Sequence, residues 1–342
     1  MDLKATYLTT LELCAPELLV RQHVTPDLPR HVVAIGKCAG SLLDGVVAVH
    51  PVESAFVVVP RGYPGGRAEA QPAFHTFVGG HPHYTRESFI AGRELLRYVD
   101  AHEDILFLIS GGGSACVEVP LVDEGEAIRI NAELIASGKP IGEINAVRRS
   151  ISAIKGGKLA RRVQGRAVTL VYSDVSTGAL HDVASGPTIP GSESVLIADN
   201  RTLVRTAASI IGDNAVVLEE QVECDELDAA AMLAARAREL RKGQVLVAGG
   251  EPTVVVRGNG RGGRCSELAV RFAALSPCEA LFGSSDGVDG NSGAAGIHLR
   301  GGLKPAPHEE SNSFPVAAQI GEPIMIAPTG NNLRDLFFVA CV

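Results

Sequence analysis

Glycine-rich turns follow several apolar runs of this sequence, and the most suggestive is the turn Ser110–Ser114. It comes directly after Ile105–Ile109, which reads as a strand, and a helix is expected soon after it. The backbone N–H groups of such a turn can hold an anion. Three consecutive glycines between two serines exceed what a tight connection needs. The sequence therefore predicts a phosphate cradle made by Ser110, Gly111, Gly112, Gly113 and Ser114.

Basic residues suited to anion chemistry lie in the segment Glu143–Gly157. Arg148 and Lys155 are seven residues apart, and on the helix predicted over 144–163 they would share one face. A solvated basic face is the ordinary alternative for such a pattern. Because the segment lies between two glycine-rich strand ends, we expect Arg148 and Lys155 to serve a site.

Acidic residues follow three further predicted strands: Asp174 after 167–172, Glu251 after 244–248, and Asp286 with Asp289 after 279–283. A single carboxylate at such a point often forms a turn or caps a helix. Several of them indicate a hard cation, since Mg²⁺ prefers one or two carboxylates together with substrate phosphate oxygens. We predict Asp174 and Asp286 as metal ligands.

The loop 258–263 matches the pattern G-x-G-x-x-G between a predicted strand, 253–257, and a predicted helix, 265–275. That context fits a dinucleotide fingerprint, so an NAD(P)-dependent reductase of 2-keto acids stays open. Arg261 and Arg264 in or beside the loop suit a polyanion better. The stretch 283–287 fits G-x-S-x-G, but no helix follows it, and no Walker-type P-loop occurs.

Strands that alternate with helices must position these loops. The alternation predicts an α/β fold with a parallel sheet covered on both faces. We expect two α/β domains: residues 1–210, a three-layer α/β/α domain with a mainly parallel sheet, and residues 211–342, a smaller α/β domain with a mixed sheet. The active site is expected in the cleft between them.

The composition excludes several classes of protein. The 342 residues carry 31 Lys and Arg against 39 Asp and Glu, a net charge of −8, and only 4% are aromatic, so a nucleic-acid binder is not expected. Seven cysteines without a C-x-x-C pair argue against a disulfide framework or a zinc site and favour the cytoplasm. No apolar run reaches 18 residues, so neither a membrane span nor a secretion signal is predicted.

The chain thus combines anion cradles, spaced basic residues and strand-end carboxylates, without a catalytic Ser–His pair. Phosphoryl transfer needs positioning, a divalent cation and positive charge more than covalent chemistry. The residues alone favour a kinase of a non-Walker type that acts on a small molecule.

The order of these motifs resembles the glycerate 2-kinase family, whose C-terminal part is called the MOFRL domain. The matching segments run from about residue 30 to 340: 35–37, 80–82, 108–115, 143–157, 173–175, 184–188, 249–253, 260–267, 286–290 with 294–296, and 328–336. The resemblance implies two α/β domains, ATP with Mg²⁺, and transfer of the γ-phosphate to the 2-hydroxyl of D-glycerate. Some members have been labelled hydroxypyruvate reductases.

The resemblance also implies roles for single residues. Cations at the reacting groups would be Lys37, Arg148, Lys155 and Arg264. Asp174 or Asp286 would hold magnesium or accept the hydroxyl proton. The nucleotide would be bound by the turn Ser110–Ser114 together with Glu251, Gly262, Gly263 and Asn332.

At four places the chain departs from the family's usual residues: Tyr84-Thr85, Ser150, Ser176-Thr177 and Cys265-Ser266. These departures leave open a different hydroxy acid or sugar acid as substrate, and also a nucleotide-binding module without activity. A homodimer is a further expectation.

Overall fold

The structure is a computed structural model of the whole chain, and it describes residues 1–66, 71–175, 179–306 and 311–340. The chain divides into two compact units. The parallel-sheet unit comprises residues 16–199, and the mixed-sheet unit comprises residues 1–15 with 200–342.

Helices and strands alternate along most of the chain. In chain order the helices are α1 (Leu3–Leu13), α2 (Pro16–Arg21), α3 (Ala39–Val47), α4 (Arg86–Asp100), α5 (Gly113–Cys116), α6 (Glu124–Ala136), α7 (Ile141–Ser150), α8 (Asn200–Ile211), α9 (Glu226–Ala237), α10 (Arg264–Leu275) and α11 (Ser313–Ile320). The strands are β1 (His31–Ile35), β2 (Ser54–Pro60), β3 (Phe74–Gly79), β4 (Ile105–Ser110), β5 (Ala167–Tyr172), β6 (Glu193–Ala198), β7 (Ala215–Val217), β8 (Val245–Gly250), β9 (Glu279–Ser284), β10 (Gly296–Leu299), β11 (Gly321–Pro323) and β12 (Asp335–Ala340).

The sheet of the parallel-sheet unit has the strand order β3-β2-β1-β4-β5-β6, and all of its neighbouring pairs are parallel. Its central strands are mostly apolar and almost wholly buried, as expected when both faces of a sheet are covered. One face packs on α4 through side chains such as Phe56 and Phe107, while α3 contacts β1, β2 and β4. The predicted three-layer α/β/α architecture is confirmed.

The mixed-sheet unit has the strand order β11-β10-β9-β12-β8-β7. Only β7 and β8 pair in parallel, and the other neighbours are antiparallel, so the predicted mixed sheet is also confirmed. Helices α9, α10 and α11 bury their alanine-rich and aromatic faces on the sheet. Helices α1 and α8 pack against each other and contact β9 and β8 respectively.

The division between the units differs from the predicted boundary after residue 210. The structure places it before Asn200, because α8 packs on β8 of the mixed sheet. The first fifteen residues also belong to the mixed-sheet unit. Tyr7 is buried and donates a hydrogen bond of 2.6 Å to the carbonyl of Ser284, which ties α1 to that unit. Pro16 begins α2, so α1 and α2 are separate helices.

Two predicted elements are wrong in the structure. The helix predicted over 144–163 ends at Ser150, because the Ser152 hydroxyl accepts the N–H groups of Ile154 and Lys155 and so closes a turn. The strand predicted over 253–257 does not form, and only Thr253 makes an isolated bridge. The apolar side chains of that segment line a cavity instead.

Candidate functional site

The parallel sheet reverses its strand order between β1 and β4. At such a switch point the loops after the two strands diverge, and the crevice between them is where open α/β sheets bind ligands. Ile35 of β1 is in register with Ile109 of β4, so both strands end level. The N–H of Lys37 consequently donates to the carbonyl of Gly111 at 2.8 Å. Lys37 and the turn Ser110–Ser114 therefore flank the crevice.

The turn Ser110–Ser114 is anchored by a side chain and leaves its N–H groups unused. The Ser110 hydroxyl, fully buried, accepts the N–H of Cys38 at 3.1 Å. Gly112 has φ +83°, a left-handed conformation that favours glycine. Within the described residues, the N–H groups of residues 111–114 have no hydrogen-bond partner. The predicted cradle thus has four donors available to a ligand.

The loop 180–188 closes one side of this turn. The hydroxyls of Ser114 and Ser185 lie 2.8 Å apart, and Ser185 also donates to the Asn145 side chain of α7 at 2.8 Å. Ala184 and Ser185 have φ of +52° and +60°, which is uncommon for residues other than glycine. Such strain is retained where surrounding contacts enforce it, often at functional sites.

Lys37 and His81 approach the turn from the ends of β1 and β3. A Cβ atom added at Gly112 would lie 2.9 Å from Cγ of Lys37 and 3.5 Å from Cδ2 of His81. Burial lowers the pKa of His81 to about 4, and the cations of Lys37 and Arg148 contribute in the same direction. The site therefore holds a neutral imidazole beside two positive charges. His81 was not predicted as a site residue, although the motif Gly80-His81-Pro82 contains it.

Arg148 is the buried cation of this site. It is only 8% exposed, and its Nη2 donates to the side-chain oxygen of Asn131 at 3.1 Å. Its Nε is buried and has no hydrogen-bond partner among the described residues, and burial lowers the pKa of the guanidinium. A buried donor without a partner is costly. An anionic ligand would supply the missing acceptor.

Lys155 is not on the helical face that the sequence predicts. Its ammonium forms an ion pair with Glu118 in which both side chains are 1% exposed. Glu118 also accepts the hydroxyls of Tyr84 and Ser152 at 2.9 and 2.6 Å and the N–H of Val119. Because α7 ends at Ser150, the common helical face with Arg148 does not exist. The structure places Lys155 in the core, as the partner of a buried carboxylate.

The positions at which the chain departs from the family's usual residues have structural roles. Tyr84 is 4% exposed and completes the surroundings of Glu118. Ser150 ends α7, and its hydroxyl donates to the carbonyl of Val147 at 2.8 Å. Ser176 and Thr177 lie outside the described residues. Asp174 is half-buried and lies just after β5, two residues before that segment.

The loop before α10 in the mixed-sheet unit uses its N–H groups internally. Those of Arg261, Gly262 and Gly263 donate to Asn312, Asn291 and Ser266 at 2.7–3.0 Å. Those of Cys265 and Ser266 donate to the carboxylate of Asp289. The phosphate cradle predicted at Gly262 and Gly263 is therefore already occupied by protein groups. The loop also fails as a dinucleotide fingerprint, since no strand immediately precedes it.

A cavity of about 580 Å³ opens beside this loop. Pro252, Val254 and Val256 give it aliphatic walls, and Glu251, Arg264 and Arg334 give it charge. Glu251 bridges the two arginines, at 2.8 Å from Arg264 and 3.1 Å from Arg334. Arg334 was not predicted, although it stands in the motif 328–336.

Arg264 also forms an ion pair with Asp335. Its Nε and Nη2 donate to the two carboxylate oxygens at 3.0 and 3.3 Å. Asp335 is fully buried, and burial raises its pKa to about 6, against the opposing effect of Arg264. The guanidinium of Arg264 is therefore fixed at the wall of the cavity by two carboxylates.

Of the predicted acidic residues in the mixed-sheet unit, Asp286 and Asp289 form local structure. Asp286 accepts the Ser284 hydroxyl and the Val288 N–H, both at 2.9 Å, as in an Asx turn. Asp289 caps the N-terminus of α10. Asn332 is buried just before β12. Among the described residues no group of three or more His, Cys, Asp or Glu could hold a metal ion.

Comparisons with known proteins cover nearly the whole chain. A model of a domain of unknown function, DUF4147, matches residues 2–210, and the MOFRL family model matches residues 244–335. The D-glycerate 2-kinase of Thermotoga maritima is 31% identical, over 96% of this chain and 94% of its own. The glycerate 2-kinase of Pyrococcus horikoshii is 28% identical, over 90% and 86%. A crystal structure of glycerate kinase from Thermotoga maritima aligns with a TM-score of 0.88 at 27% identity, over 99% and 98%. None of the described helices is long and apolar enough to cross a membrane.

Proposed function

This chain belongs to the glycerate 2-kinase family, as its motifs indicate, and on that premise we propose that it is an ATP-dependent kinase of a small hydroxy acid. The substrate proposed is D-glycerate, phosphorylated on its 2-hydroxyl. The observation that carries the proposal is the switch-point crevice of the parallel sheet, where unused N–H groups, Lys37 and the buried Arg148 converge on the space beside His81.

Arg148 is assigned to the carboxylate of the acid. A guanidinium presents several donors in a planar fork that matches a carboxylate, and the buried Nε of Arg148 lacks an acceptor. His81 is neutral at physiological pH, so it can donate or accept a hydrogen bond at the substrate hydroxyl without adding charge.

The turn Ser110–Ser114 and Lys37 are assigned to the transferring phosphoryl group. Backbone N–H groups and a lysine stabilise negative charge on phosphoryl oxygens without a proton transfer. Loss of one such group is expected to lower kcat by about 100-fold. Gly262 and Gly263 are not assigned to phosphate, because their N–H groups are already bonded.

The nucleotide is assigned to the cavity of the mixed-sheet unit. Its volume of about 580 Å³ falls within the range of small-molecule sites, and its aliphatic walls suit adenine in a chain with few aromatic residues. Arg264 and Arg334 offer charge to phosphates. Magnesium bound mainly through nucleotide phosphates needs only one or two protein carboxylates, which either Asp174 or Asp286 would supply, and it would neutralise phosphate charge.

The test is an ADP-release assay across three- to six-carbon hydroxy acids, with the phosphorylated position read by NMR. We expect D-glycerate to give 2-phosphoglycerate. Lys37→Ala and Arg148→Ala should each lower turnover by about 100-fold. Arg97→Ala, a change of a solvent-exposed arginine on α4, is the matched control. The absence of ADP release with every acid, or native rates in both site variants, would refute the proposal.

The reductase alternative is tested separately, by NADH absorbance with hydroxypyruvate and no coupling enzyme. We expect no oxidation of NADH, because no strand directly precedes the loop 258–263 and the N–H groups of Arg261, Gly262 and Gly263 are already bonded. No two of the described cysteines form a disulfide bond, which supports a reducing compartment such as the cytoplasm.

A further inference from the structure

Asn131 connects two parts of the switch-point site. It lies on α6 and is 1% exposed. Its side-chain oxygen accepts the hydrogen bond from Arg148 at 3.1 Å, and its side-chain nitrogen donates to the carbonyl of Pro82 at 3.2 Å. Pro82 directly follows His81. One buried amide therefore bridges Arg148 and the loop that carries His81.

The chemistry of the two partners fixes how this amide is oriented. A guanidinium can only donate and a backbone carbonyl can only accept, so the oxygen of Asn131 must face Arg148 and its nitrogen must face Pro82. A short side chain with one acceptor and one donor is required. Aspartate offers no donor when ionised, and leucine offers neither group.

The neutrality of Asn131 preserves the charge of Arg148. Glu118, the buried carboxylate whose charge acts on Arg148, is already paired with Lys155. An acidic residue at position 131 would orient the guanidinium equally well, but it would compensate the charge. With asparagine there, the guanidinium is held in place while its charge and its Nε remain for a ligand.

We propose that Asn131 is a positioning residue of the active site, which aims the Arg148 guanidinium at the substrate carboxylate without neutralising it. The inference rests on the proposed function, and it adds a residue that no sequence motif indicated. Asn131 acts through Arg148 and does not itself touch the substrate.

Asn131→Ala removes the contact that orients Arg148. We expect the KM for D-glycerate to rise by about tenfold or more, as for a lost hydrogen bond to a charged group, while the KM for ATP changes less than twofold. Leu134→Ala is the matched control, since Leu134 is also buried on α6, one turn from Asn131. It should lower the thermal midpoint and leave the KM for D-glycerate unchanged. An equal effect of both variants on that KM would overturn the proposal.

A double-mutant cycle separates positioning from a general structural role. In the background of Arg148→Ala, the change Asn131→Ala should have little further effect on kcat/KM, because the group that it orients is gone. Additive losses in the double variant would show that Asn131 acts independently of Arg148, which contradicts the inference.

Asn131→Asp tests the role of charge. It keeps an acceptor for Arg148 but compensates the cation, so D-glycerate should bind about tenfold more weakly or worse, comparable to the loss in Asn131→Ala. Native affinity in this variant would overturn the argument from charge.

Calorimetric titration of the intact chain with D-glycerate, and with inorganic phosphate as a second probe, measures binding without turnover. If the wild type binds either anion yet releases no ADP, the kinase proposal fails while the Asn131 variants still test positioning. If the wild type binds neither anion, Arg148 has no ligand to receive and both proposals fail.

Discussion

The ion pair between Lys155 and Glu118 allows a prediction whose size follows from its surroundings. Both side chains are 1% exposed, and in Glu118→Gln the lysine ammonium would keep only neutral partners: the new amide, the Val117 carbonyl at 3.5 Å, and the Tyr84 ring, whose centroid is 5.5 Å away. Removing one member of a buried pair strands the other charge and costs about 3–5 kcal/mol. We therefore expect the free energy of unfolding of Glu118→Gln to fall by about 3 kcal/mol or more at pH 7.

The loss should depend on pH with a defined sign. Burial already lowers the pKa of Lys155, and without Glu118 it falls further. The unfolded chain then binds a proton that the folded chain lacks, over the range between the lowered pKa and the usual lysine value near 10.4. Over that range the variant regains stability as the pH rises, by up to about 1.4 kcal/mol per pH unit.

The assay is urea unfolding followed by far-UV circular dichroism, since the chain has no tryptophan. Glu94→Gln is the control, because it breaks an exposed ion pair with Arg97 on α4 that is worth about 0–1 kcal/mol. The double variant Glu118→Gln/Lys155→Met should be more stable than the sum of its single changes predicts. A Glu118→Gln loss no larger than that of the control would refute the reasoning. So would a Lys155→Met variant with native stability and greatly reduced kcat, since that result would make Lys155 a group that contacts the substrate.

Three further predictions follow from single residues. Gly112→Ala should lower kcat/KM by about tenfold or more, because its Cβ would press on Lys37 and Pro60 in a strained backbone. Gly138→Ala, at φ +64° with open space around it, should cost only about 1 kcal/mol of stability and no activity. An NMR titration should show His81 neutral from pH 5.5 upward, since its pKa is about 4, and an inflection near 6.5 would contradict its burial. Between about pH 4 and 6 the folded state holds a proton on Asp335 that the unfolded state has lost. The free energy of unfolding of the wild type should therefore fall with rising pH by about 1–3 kcal/mol relative to Asp335→Asn. Urea unfolding that gives the same pH dependence for both proteins would contradict this.

The sequence was sufficient for the elements whose signals are local. Apolar runs predicted β4, β5 and β9, and the glycines after β4 indicated the turn that flanks the crevice. The strand order could not be predicted from the sequence, since packing across the whole sheet decides which strands become neighbours. His81 could not be predicted as a site residue for the same reason. Apolar and polar residues alternate only weakly in β3, and only the sheet brings the end of β3 beside Lys37.

The sequence places Lys155 near Arg148, but the helical spacing on which that prediction depends does not exist in the structure. The spacing of seven from Arg148 suggested a shared helical face, yet the helix ends at Ser150. The two cations still lie around the same carboxylate, because the Ser152 turn folds the chain back toward Glu118. Helical periodicity could not reveal this, since it depends on a side chain capturing backbone N–H groups.

The predicted anion-binding groups are of two kinds. Some form hydrogen bonds within the protein and stabilise the fold, and others are left to bind a ligand. Lys155 and the N–H groups of Gly262 and Gly263 have their hydrogen-bond partners within the protein. The N–H groups of residues 111–114 and the Nε of Arg148 do not have partners among the described residues. Leaving such donors without a partner is unfavourable in the free protein, and a ligand that satisfies them recovers that free energy on binding. We therefore expect affinity for the acid and the phosphoryl group to depend on these donors, which lack partners within the described protein.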